Sequence, residues 1–139
     1  MGRILKKIFI GFLVIIAAFF VIDFFLGDPD YVPEEDREYI EVTVDDLYAE
    51  LSDNELRAED EYEGTYATVT GRLRVIDSDY IGLYPLEYDS LDGVHCIFMN
   101  DEQRDKVKEF SKDDTVTVKG KLSDVGGTFG FKLTIDSIE

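Results

Sequence analysis

The chain has 139 residues, which is room for one small domain and an appendage. With 31 Asp and Glu against 14 Lys and Arg, it carries a formal net charge of -17, which repels nucleic-acid phosphate unless a local basic patch overrides it. The single cysteine, Cys96, excludes an internal disulfide framework and a cysteine-rich zinc site.

The first element is an apolar run, IFIGFLVIIAAFFVI from Ile8 to Ile22, resuming after Asp23 as Phe24, Phe25 and Leu26. As a helix rising ~1.5 Å per residue, this stretch matches a hydrocarbon core of ~30 Å. Arg3, Lys6 and Lys7 precede it, and Asp28, Asp30, Glu34, Glu35 and Asp36 follow. The basic flank stays in the cytoplasm, so the C-terminal bulk is expected outside, at the cell surface or in the periplasm. A cleaved signal peptide shares the basic start, but FFVIDFFLGD offers no small-x-small cleavage site. Residues 1–26 are therefore expected to form a transmembrane signal anchor, and the membrane is the first expected partner. Residues 27–39, rich in Pro, Gly and acid, read as an extended linker.

The folded domain is expected over residues 40–139. Thr43, with Asp46 as the third helical position, signals a capped helix whose Val44, Leu47 and Leu51 share one face. Asn54 opens a second short helix that stops at Gly64, with Ala58 and Tyr62 on its apolar stripe. The period then changes to two. In YATVTGRLRVI, Ala67, Val69, Leu73 and Val75 alternate with Thr68, Thr70, Arg72 and Arg74, and Gly71 sits in the middle. After the turn Asp77-Ser78-Asp79, the second strand YIGLY points Ile81 and Leu83 inward and Tyr80 and Tyr84 outward.

A loop over Glu87–Gly93 leads to a third strand, VHCIFM, with Val94, Cys96 and Phe98 inward. Asn100 caps a helix bearing Val107 and Phe110. Two strands close the chain, TVTVKGKL and TFGFKLTIDSI, separated by the turn Asp124–Gly127. Their inward residues are expected to be Val116, Val118 and Leu122, then Phe129, Phe131, Leu133 and Ile135. The expected fold is mainly β, a five-stranded OB-fold barrel with a helix between strands three and four. Two short helices and the N-terminal transmembrane helix precede it. Interior glycines supply the coiling that closing so few strands demands.

Asn54, Ala58, Tyr62 and Gly64, the VTG of Val69–Gly71, the HCIF of His95–Phe98 and the VTVKGK of Val116–Lys121 together resemble the tRNA_anti-like family of small OB-fold proteins. The resemblance runs from Val42 to Glu139. It implies the fold and a position behind a membrane or lipoprotein segment, and no particular activity.

An OB-fold presents the outer face of its second and third strands to ligands. The expected ligand-binding residues are therefore Tyr80, Tyr84 and His95. Asp77, Asp79, Glu87, Asp89 and Asp92 crowd that face and disfavour phosphate, so nucleic acid is the least expected ligand. His95 is the only histidine, no phosphate loop, HExxH or nucleophile elbow is present, and Cys96 points inward. No catalytic residue, metal or cofactor is expected. The expected function is an extracytoplasmic, membrane-anchored binding module for an oligosaccharide, peptide or protein. The alternative is an accessory subunit of an envelope complex acting through its helices. The similar stretches ATVTGRL and VTVKGKL would be neighbouring strands, gathering Arg72, Arg74, Lys119 and Lys121 on their outer side.

Overall fold

The structure, a computed structural model, describes Gly2, Lys7, Ile15, residues 31–127 and residues 130–139. Apart from Ile15, the expected anchor from Ile8 to Leu26 lies outside the described residues, and so does the expected inward Phe129. Among the described residues, no helix is long and apolar enough to cross a membrane. The chain divides into two compact units, residues 1–36 and Arg37–Glu139. In the first, a 3-10 turn covers Glu34–Asp36.

The second unit opens with β1 (Ile40–Thr43), helix α1 (Val44–Asp53) and helix α2 (Glu55–Tyr62). Thr43 caps α1 reciprocally: its Oγ1 accepts from Asp46 N at 3.1 Å, and its own N–H donates to Asp46 Oδ2 at 3.3 Å. Asn54 Oδ1 accepts from Arg57 N at 3.1 Å and starts α2 directly after α1 ends. The buried faces are Val44 and Leu47 of α1 and Ala58 and Tyr62 of α2. Tyr62 meets Phe131 edge to face with centroids 6.4 Å apart, so it belongs to the core.

The remaining elements are β2 (Tyr66–Ile76), β3 (Tyr80–Tyr84), β4 (Val94–Ile97), α3 (Asp101–Val107), β5 (Thr115–Gly127) and β6 (Gly130–Ile138). Strand order β2-β3-β4-β6-β5, with β5 returning to β2, closes a five-stranded barrel of OB type. β2 makes this closure possible by serving two neighbours in turn: Tyr66–Arg72 pairs with β5, and Arg72–Ile76 pairs with β3. The strand must coil between these tasks, and Gly71 sits at the handover. A Cβ there would lie 2.6 Å from Val44 Cγ2 and 3.0 Å from Tyr84 O, so glycine lets α1 pack onto the barrel. The core comprises Ala67, Val69, Leu73, Ile81, Leu83, Val94, Cys96, Val116, Val118, Leu122, Phe131, Leu133 and Ile135, all buried. These follow the period-two pattern of the sequence.

Three details depart from the sequence reading. β1 adds a parallel strand to the free edge of β2, pairing Ile40 with Ala67 and Thr43 with Thr70. The ladder of β5 and β6 continues through the expected turn at Asp124–Gly127 as far as Gly127 opposite Gly130, taking up register shifts and burying Val125. Finally, a bulge between Leu73 and Val75 reverses the alternation, so Val75 pairs with Gly82 on the outer face. Bulges redirect a side chain without ending a strand, and here that residue becomes part of the site.

Candidate ligand-binding site

The site is built on the outer face of β3 and β4. Antiparallel register places Tyr80 opposite Ile97 and Gly82 opposite His95. His95 thus lies diagonal to Tyr80, within reach of an aromatic ring. The two rings stack, centroids 3.7 Å apart and planes 20° from parallel. Tyr84 occupies the next outward position of β3, and its ring lies over the two glycines nearby. A Cβ on Gly82 would be 3.0 Å from Tyr84 Cε2 and 3.1 Å from Val75 Cβ. One on Gly93 would meet Leu83 O at 2.6 Å. These glycines leave an open cavity of about 210 Å³ between Val75, Tyr80, Tyr84 and His95. The structure therefore brings the three expected residues together in one groove.

The electrostatics are uneven. Burial, and secondly the charge of Lys132, lowers the His95 pKa from its ordinary 6.5. Lys132 is the partner of His95 in the parallel register of β4 and β6. The imidazole is accordingly neutral at pH 7 and serves as a flat stacking surface. Arg72, which pairs with Tyr84 across β2 and β3, and Arg74 at the bulge both reach one carboxylate oxygen, Asp89 Oδ1, at 3.0 and 2.8 Å. The residue of greatest chemical reactivity, Cys96, is fully buried with its thiol pKa pushed well up by desolvation. Among the described residues, no group of three or more His, Cys, Asp or Glu is placed to hold a metal ion.

The expected gathering of Arg72, Arg74, Lys119 and Lys121 does not occur. β2 and β5 do lie side by side, but they run antiparallel, so Arg72 faces Thr115 while Lys119 and Lys121 face Thr68 and Tyr66. The arginines and lysines end up at opposite ends of the pair. Lys119 and Lys121 stand over the rings of Tyr39 and Tyr66, each 5.8 Å from the centroid. Arg37 lies 4.8 Å from the Tyr66 centroid and 2.8 Å from Asp136 Oδ1, and Tyr39 Oη donates to Asp136 Oδ2 at 2.7 Å.

Two other cavities are larger. One of about 260 Å³ is walled by Ile76, Phe98, Val107 and Phe110 beside α3. Arg104 and Lys108 at its rim are paired with Asp101 and Asp105, each at 2.7 Å. A polar cleft of about 440 Å³ runs along Thr68, Thr70 and Thr117. Neither presents a paired aromatic platform, which distinguishes the groove on β3 and β4. Sequence reasoning missed Val75, Gly82, Gly93 and the link from Asp89 to the arginines. Only Gly82 carried a signal, as a small residue alternating with two outward tyrosines in YIGLY.

The family model described as tRNA_anti-like matches residues 1–129, extending through the apolar N-terminus as well as most of the barrel. Among solved structures, a Klebsiella pneumoniae lipoprotein described as a candidate nucleic-acid binder is similar at 13% identity and a TM-score of 0.54, covering 69% of this chain and 87% of that one. Replication protein A of U. maydis, bound to single-stranded DNA, gives 16% identity and a TM-score of 0.47, covering 74% of this chain and 72% of that one. The S. cerevisiae mitochondrial single-stranded DNA-binding protein Rim1 gives 15% and 0.43, covering 55% of this chain and 92% of that one. No curated protein matches the sequence. At 13% identity the Klebsiella likeness speaks for the barrel fold. The match to the family model spans most of the sequence, and the chain belongs to the tRNA_anti-like family.

Proposed function

We propose that the protein is a non-catalytic binding module that holds a ligand by laying a flat ring against the Tyr80–His95 pair, with Tyr84 closing the groove. The observation that carries this reading is the stack itself, at 3.7 Å, beside a cavity kept open by Gly82. Aromatic platforms bind sugar faces, peptide side chains and bases alike, so charge selects among them. Asp77, Asp79, Glu87 and Asp92, in the segments that flank β3 and precede β4 in the sequence, disfavour a phosphodiester chain, and an oligosaccharide is the ligand class we favour. The apolar run at 8–26 and its basic flank support placing the module outside the membrane on an uncleaved anchor.

We assign no catalytic step to it, since His95 is stacked and its pKa is lowered, while Cys96 is sealed in the core. The Klebsiella description favours nucleic acid as a second reading. A role through the helices has less support: Leu56 is the one large exposed hydrophobic among the described residues of α1 and α2.

The test is direct binding of cellotetraose, a tyrosine-containing peptide and an eight-residue oligothymidylate to the purified chain, comparing it with Tyr80→Ala. Saccharide binding about tenfold weaker in the variant is expected. Oligothymidylate binding with a steep salt dependence would replace this reading with the nucleic-acid one. A reporter fused after Glu139 should behave as extracytoplasmic, and a cytoplasmic signal would contradict the orientation.

A further inference from the structure

The segment over residues 85–93, between β3 and β4, is held to the barrel in two different ways. Its ends are fastened by α1. Asp45 accepts from Leu86 N at 2.6 Å and Glu87 N at 3.2 Å, and Tyr48 Oη donates to Gly93 O at 2.8 Å. Its centre is held by charge. Arg72 and Arg74 converge on a single oxygen of Asp89, whose side chain is 80% exposed against 24% and 35% for the arginines, and Arg74 Nε also lies 3.6 Å from the exposed Asp113. Arg72 also reaches Tyr88 O, at a long 3.4 Å, while its Nε is buried with no acceptor. Buried donors without acceptors are rare, and this one sits on the strand that borders the groove.

The arginines are thus the fixed half of the contact and Asp89 the exposed, replaceable half. Ion pairs this exposed contribute little to stability, so an outside carboxylate competes on nearly equal terms. Two guanidiniums also offer more donors than one carboxylate oxygen satisfies, and a ligand carboxylate with both oxygens engaged could serve Arg72 Nε as well. Because Arg72 pairs with Tyr84, which lines the groove, an anion held there lies at the Tyr84 end of the groove.

We propose that Arg72 and Arg74 form an anion-exchange site, closed at rest by Asp89, that selects an acidic sugar: a ring in the groove with its carboxylate on the arginines. The inference rests on the groove reading and adds the ligand's charge. A single pair of cations beside Asp89 and Asp113 suits one isolated negative group, and a phosphodiester chain would bring its further charges against a chain of net charge -17.

The experiment titrates glucuronate and glucose, which differ by one carboxylate, into the purified full-length protein in detergent. It follows the Arg72 and Arg74 Nε signals together with the ring signals of Tyr80, Tyr84 and His95. Glucuronate should move both sets and glucose only the rings. Asp89→Asn, at an exposed position, should tighten glucuronate roughly threefold to tenfold and leave glucose unchanged. Arg72→Gln should erase the preference for glucuronate. Equal glucuronate affinity in the native protein and Asp89→Asn would overturn the exchange site, and ring shifts would then show that the groove reading survives. Absence of ring shifts with either sugar would overturn both. Tightening of an eight-residue oligothymidylate in Asp89→Asn without tightening of glucuronate would overturn the acidic-sugar assignment.

Discussion

Two faces of the barrel combine tyrosines with basic side chains, and they are put together differently. On the face of β2 and β5, Tyr39 and Tyr66 are covered by Arg37, Lys119 and Lys121, and the Tyr39 hydroxyl is tied to Asp136. Burial and that hydrogen bond push the Tyr39 pKa up to about 12. On the face of β3 and β4, Tyr80 stacks on a neutral histidine, and glycines at positions 82 and 93 leave space beside Tyr84. Composition alone does not separate a structural cluster from a binding surface. The difference is whether the rings are already covered, and glycine placement decides it.

Four substitutions or titrations break or sharpen that contrast. The largest effect is expected from Gly120→Val, because any Cβ at this buried position runs into the Thr134 carbonyl and the Leu133 side chain. Backbone collisions of this kind are not relieved by a rotamer change, and a loss of about 3 kcal/mol or more in urea unfolding is expected, removing both faces together. Asp136→Ala comes next. It removes one of the partners of Arg37, whose side chain is only 12% exposed, and the acceptor of the Tyr39 hydroxyl. About 1–3 kcal/mol of stability should be lost while saccharide affinity is unchanged.

Tyr80→Ala should do the reverse. The ring is half-buried on the outer face, so stability should fall by about 1 kcal/mol or less, while affinity for a bound saccharide falls about tenfold. The smallest effect concerns pH. His95 is harder to protonate in the folded protein than its ordinary 6.5. The unfolded chain therefore takes up the proton first as pH falls below that value, and the contribution is complete above it and declines beneath it. The melting temperature of the native protein should drop more than that of His95→Gln between about pH 7 and about pH 5. An equal drop in the two proteins would remove the neutral-histidine argument.

The barrel was legible because its signals are local and periodic. Alternation in β2, β5 and β6 named most of the core, and Thr43, Asn54 and Asn100 marked three helix starts by capping chemistry. The tyrosines and His95 were legible as outward residues for the same reason. The bulge after Leu73 was not, since nothing in RLRVI announces where one extra residue will be absorbed, and Val75 moved from the expected core to the groove. The contact between Asp89 and the arginines was also hidden, because it depends on how a loop fastened by Asp45 and Tyr48 folds back over β2. Antiparallel pairing likewise parted four basic residues that the paired motifs had suggested were neighbours.

The central claim is that the open face, and not the covered one, meets the ligand. Aromatic chemical shifts followed during titration with cellotetraose test it most directly, since rings from both faces are read in one spectrum. Movement of Tyr80, Tyr84 and His95 with Tyr39 and Tyr66 unchanged is the predicted result, and movement of Tyr39 and Tyr66 with the groove rings unchanged would contradict it.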